Sequence, residues 1–67
     1  MKYYVNKNAQ SNGDHEVHNE QCPVLPYPEN RLYFGEFSNC RDAVKKAKET
    51  YAKADGCQKC SPECNTR

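Results

Sequence analysis

His18-Asn19-Glu20-Gln21-Cys22 sets an imidazole and a thiol four positions apart, and Cys57-Gln58-Lys59-Cys60 sets two thiols three positions apart near the C-terminus. Two thiolates at C-x2-C spacing can both point at one tetrahedral ion while the loop amides turn toward the sulfurs, the arrangement of zinc knuckles. The H-x3-C segment offers a second ligand pair, leaving a strand just ahead of a proline-rich loop. The pairs stand 35 positions apart, so a shared ion closes the end of a sheet against the end of a helix. The expected site is therefore His/Cys3: His18, Cys22, Cys57 and Cys60 around one Zn²⁺. Two competitors stay open. His15, three residues ahead of His18 on a strand, is expected on the opposite face and solvated. Cys64, four residues past Cys60, is a rival thiol.

The rest of the composition explains why such a staple is needed. The 67 residues are 28% charged and include only four Val and two Leu as branched aliphatics, with no Ile and no Trp. Ordering a chain of this size costs on the order of 100 kcal/mol of conformational entropy, at about 1.5 kcal/mol per residue. So small an apolar set struggles to offset that cost, and chains this short usually lean on disulfides or a metal. Five cysteines are the available means. The length excludes a multidomain enzyme and points to one domain over 1–67, with a Cys-rich tail at 57–67.

Charge excludes other classes. The formal net charge is +1, with three Lys/Arg against five Asp/Glu up to residue 37 and seven against four beyond it. That falls short of the basic stripe of an obligate nucleic-acid binder. No segment approaches the 18 apolar residues of a membrane span, and Met1 runs into Lys2, Tyr3 and Tyr4 with no apolar signal-peptide core. A cytoplasmic, reducing location is the expectation, where clustered Cys and His more often mean metal than disulfide. A monomer with no membrane partner is expected.

Working outward from the ligand pairs, Lys2 to Lys7 reads as a strand, since Tyr3, Tyr4 and Val5 favour extended structure. Asn8 to Asp14 reads as a turn, and His15 to His18 as a second strand pairing with the first in a hairpin. Pro23, Pro26 and Pro28 make Cys22 to Asn30 an extended loop. Arg31 to Phe37 reads as a third strand, its Leu32, Tyr33, Phe34 and Phe37 centring the core. Ser38 and Asn39 are good N-caps for a helix from about Cys40 to Ala54, ended by Gly56. Ala43, Val44, Ala47 and Tyr51 recur at helical spacing and would face the sheet, with Lys45, Lys46, Glu49 and Lys53 on the far side. The predicted fold is α+β: three short antiparallel strands, one helix and a zinc ion.

Around these pairs lies a longer pattern: His18-x3-Cys22, then Pro28-Glu29-Asn30-Arg31-Leu32-Tyr33-Phe34, then a helix with Ala43-Val44, then Cys57-x-Lys59-Cys60-x-Pro62. Over residues 15–62 it resembles the zinc-binding domain at the N-terminus of the Ada alkyl-DNA repair protein, also found at the ends of several nucleases. The resemblance implies one structural zinc held by the paired residues on a small sheet packed against a helix, and nucleic acid as a partner. It also leaves Cys40 and Cys64 outside the ligand set, as free thiols or as a disulfide. This chain departs from the pattern where the repair protein has a methyl-accepting cysteine, because His18 stands there and an imidazole cannot serve as that thiolate nucleophile. Where the DNA-binding relatives carry basic residues beside the second pair, this chain has Asp55 and Gly56.

Catalytic readings find no support. Cys and His occur together, but no Asp or Asn is placed to orient a base. The C-x2-C pair follows a helix instead of opening one, unlike a thioredoxin-type redox motif. The expectation is a non-catalytic structural zinc module that binds another macromolecule, protein or nucleic acid. The alternatives are a disulfide-stapled domain without metal and a methyl-accepting repair module in which another cysteine took over the acceptor role. Three deprotonated thiols remove three charges and the ion restores two, leaving a neutral holo-domain. Its basic surface is then the flank Arg41, Lys45, Lys48 and Lys59, which predicts weak, salt-sensitive nucleic-acid binding.

Overall fold

The computed structural model describes residues 1–66. Strand β1 (Lys2–Asn6) pairs antiparallel with β2 (His15–Asn19) on one side and with β3 (Arg31–Glu36) on the other. A fourth strand, β4 (Ala54–Gly56), lies parallel to β2, so the sheet is mixed and its order is β3-β1-β2-β4. Among the described residues the α+β class and the single α-helix stand, while the expected three antiparallel strands become four in a mixed sheet. Among the described residues no helix is long and apolar enough to cross a membrane.

Helix α1 covers Cys40–Ala47, shorter than the predicted Cys40 to Ala54. Its start follows the sequence signal: the Asn39 side chain accepts a hydrogen bond from the Asp42 amide, satisfying one of the helix's orphan donors. Its end does not. Thr50 and Tyr51 both donate backbone hydrogen bonds to Ala47 O, closing the last turn, and Ala54 donates to Tyr51 O on the way into β4. The pairing of residues 54–56 with β2 requires extended backbone there, and tertiary pairing overrides the local helix propensity. Nor does Gly56 act as a helix stop. A Cβ on it would lie 2.6 Å from Cys64 Cβ, 2.7 Å from the Cys64 carbonyl carbon and 2.8 Å from Ser61 O. Only glycine lets the tail pass this close over β4.

One face of the sheet packs on α1. Tyr3, Val5 and Val17 from the strands meet Cys40, Ala43, Val44 and Ala47 from the helix, with Ala54 between them. Leu32, Phe34, Phe37 and Tyr51 pack around this cluster and are partly buried. Tyr51 thus reaches the core as the periodicity implied, but from the turn after the helix. Its ring stacks on His15, with centroids 3.8 Å apart and planes 13° apart. The β1–β3 register shifts between Tyr3 and Tyr4, where Gly35 opposes Tyr3 with φ +117°, a backbone conformation that favours glycine. Cys40 and Cys64 form a disulfide that ties the first turn of α1 to the tail.

Candidate metal centre

Strand register brings the two ligand pairs together. Because β2 and β4 run parallel with Val17 opposite Gly56, the next residues, His18 and Cys57, emerge side by side on the face away from α1. The Cys57 amide donates to Val17 O at 2.9 Å and holds this alignment past the end of β4. Cys22 follows after a turn in which its own amide donates to Asn19 O. The knuckle Cys57–Cys60 closes when the Ser61 amide donates to Cys57 O, and the end of β2 grips it through Asn19 Nδ2, which donates to Cys60 O.

The result is a buried cluster of His18, Cys22, Cys57 and Cys60 whose donor atoms all lie within 4.8 Å of one another, and it could hold a metal ion. His18 Nδ1 lies 3.4 Å from Cys22 Sγ, and Cys22 Sγ lies 3.8 Å from Cys57 Sγ. A tetrahedral zinc with ordinary bond lengths would separate nitrogen from sulfur by about 3.5 Å and sulfur from sulfur by about 3.8 Å. The donor set and its spacing therefore fit such an ion. His15 is not in the cluster; it sits on the helix face with Nδ1 2.9 Å from Asn6 O. Its expected solvation is replaced by half-burial against Tyr51, because β4 draws the post-helix turn over it. Cys64 is also outside the cluster, committed to Cys40.

Without a cation the cluster is uncharged. Burial pushes the His18 imidazole down to about 4, so it is neutral and free to ligate at ordinary pH. Burial, then the neighbouring Cys60 thiol, pushes the Cys22 thiol up to about 12, and burial also raises Cys57. Ionising the buried Cys22 and Cys57 thiols side by side needs a countercharge, which a divalent metal would supply. Two backbone amides already point at sulfur: Asn19 N–H to Cys60 Sγ and Lys59 N–H to Cys57 Sγ, each at 3.4 Å. The second is the amide contact that C-x2-C spacing implies.

Two further residues belong to the surroundings of the site. His18 Nε2 is buried and has no hydrogen-bond partner among the described residues, where the nearest carboxylate oxygen, Glu16 Oε1, is 3.7 Å away. Metal-bound imidazoles usually donate their other ring N–H to such an acceptor. The signal for Glu16 is strand alternation, which puts residues 16 and 18 on one face. Ser61, 1% exposed, has its hydroxyl 3.7 Å from Cys60 Sγ; no spacing rule picks it out. Neither a family model, nor a curated protein, nor a solved structure matches this chain.

Proposed function

We propose that this chain is a non-catalytic structural zinc module, with one Zn²⁺ held by His18, Cys22, Cys57 and Cys60. The observation that carries the reading is the convergence of these four donors from two distant segments into one buried cluster. A set of one imidazole and three thiols suits Zn²⁺, which takes nitrogen and sulfur ligands in closed four-coordinate structural sites. With all four positions filled by protein, no coordination site remains for substrate or activated water. The ion's contribution is then folding free energy, on the order of 10 kcal/mol, in a chain with little apolar core.

The biological role that best suits such a module is docking to another macromolecule. Resemblance to the Ada zinc-binding domain favours nucleic acid, whereas the neutral holo-charge and His18 at the methyl-acceptor position argue against repair chemistry. Native mass spectrometry of protein purified without chelator tests the metal: one added zinc supports the reading, and a folded apo mass with three intact thiols sinks it. Cys57→Ser and Cys60→Ser should each abolish zinc retention and unfold the chain. Titration with labelled single- and double-stranded DNA tests the partner, with micromolar or weaker binding that falls as salt rises as the expected result.

A further inference from the structure

The Cys40–Cys64 bond lies on the opposite side of the sheet from the cluster, yet only three residues separate Cys64 from the ligand Cys60. The tail crosses from one face to the other over Gly56. On the helix side it is pinned by the disulfide and by hydrogen bonds from Asn65 Nδ2 to Gly56 O and from the Thr66 amide and hydroxyl to the Asp55 carboxylate. The two sulfurs differ in access. Cys40 is 3% exposed, inside the apolar core, whereas Cys64 is half-buried and lines a surface cavity of about 320 Å³. Arg41, Lys45 and Lys48 from the flank of α1 line that cavity, along with Asp55 and Glu63. Three cations against two carboxylates leave the opening with a net charge of +1, and the Asp55 carboxylate is turned to the Thr66 amide and hydroxyl.

We propose that the Cys40–Cys64 disulfide is a thiol-exchange site, served by a small anionic thiol that enters the cationic cavity beside α1, and that its opening loosens the metal-ligand loop. The exchange follows from access and leaving-group chemistry. An incoming thiolate attacks Cys64 Sγ, forming a mixed disulfide with Cys64 and expelling Cys40 as a thiolate, which takes a proton from water. Attack falls on Cys64 because its sulfur is the accessible one, and this makes Cys40 the leaving group; its place at the first position of α1, where backbone amides face developing negative charge, offsets part of the cost of its apolar surroundings. A second thiolate then attacks the reagent's sulfur in the mixed disulfide and releases Cys64. Two reagent thiols are oxidised to one disulfide, and the protein disulfide is reduced to two thiols.

The coupling to metal rests on the zinc reading above. The disulfide closes a loop of 24 positions that contains both Cys57 and Cys60. Losing a cross-link of that span weakens folding enough to lower apparent zinc affinity about a hundredfold, or about 3 kcal/mol at 1.4 kcal/mol per tenfold, because binding and folding are linked.

The test treats zinc-loaded protein with glutathione, an anionic thiol, or with cysteamine, a cationic one, at matched thiolate concentration. Opening is read by mass after alkylation. Glutathione should be faster by about tenfold, and an Arg41→Gln, Lys45→Gln, Lys48→Gln variant should lose that preference. Equal rates in the wild-type chain would overturn the cavity's role. Zinc affinity is then measured by chelator competition on the glutathione-opened wild-type chain and on Cys40→Ser, Cys64→Ser protein, the first remaining informative if the second fails to fold. A hundredfold loss supports the coupling, and unchanged affinity on opening overturns it while leaving the zinc reading intact. No zinc in the disulfide-bonded chain overturns the zinc reading and the coupling together.

Discussion

Replacing Gly56 with alanine adds one methyl group where three atoms already crowd the backbone. The new Cβ would sit 2.6 Å from Cys64 Cβ, 2.7 Å from the Cys64 carbonyl carbon and 2.8 Å from Ser61 O. Carbon atoms in contact prefer about 3.5 Å or more, so relief needs a shift of nearly 1 Å. The two carbons belong to a residue held by a disulfide, and the oxygen accepts the Cys64 amide, so no flexible side-chain end can give way. Overpacking of this kind costs about 2 to 3 kcal/mol, which in a domain of this size lowers Tm by about 10 °C or more. The assay is thermal unfolding by circular dichroism at fixed zinc loading. Gly56→Asn separates this account from the helix-stop reading. Asparagine is the mildest substitute where glycine serves a left-handed cap, but it is larger than alanine and should be worse here. An alanine variant within about 2 °C of wild type, or an asparagine variant milder than alanine, would refute the close passage of the tail over β4.

Acid should dismantle the fold through His18. A zinc-bound His18 cannot take up the proton that the unfolded chain's imidazole takes near the ordinary 6.5, so zinc retention, and stability with it, should be full above pH 6.5 and decline as the pH falls below it. Denaturant midpoints that stay flat from pH 6.5 to 5 would contradict this. Glu16→Ala should weaken zinc binding by about tenfold or more, read by chelator competition, because it removes the carboxylate nearest His18 Nε2. Tyr51→Ala should cost about 2 to 3 kcal/mol through loss of the His15 stack and the core contact, whereas Lys46→Ala, which breaks an exposed pair with Glu49, should cost under about 0.5 kcal/mol. Equal effects in urea denaturation would mean that Tyr51 does not pack against the sheet.

What the sequence determined by itself is what depends on local chemistry or short spacing. Tyr3-Tyr4-Val5 and the residues from Arg31 to Glu36 are extended because β-branched and aromatic side chains suit a pleated surface, and α1 begins at Cys40 because Asn39 caps it. The H-x3-C and C-x2-C pairs mark four candidate donors before any fold is known, since each spacing lets two donors reach one point. Tertiary structure decided the remainder. Ala54-Asp55-Gly56 has no strand former, and it is extended only because its backbone groups find partners along β2; the same pairing ends the helix early and turns Gly56 from a stop into a clearance. His15 and His18 are the same residue type three positions apart; strand alternation sets them on opposite faces, and the position of β4 and the turn before it stacks one ring on Tyr51 and places the other beside Cys57 in the cluster that could hold a metal ion. The pairing of Cys40 with Cys64 is likewise a matter of distance in space, set by the tail folding back over the helix side of the sheet.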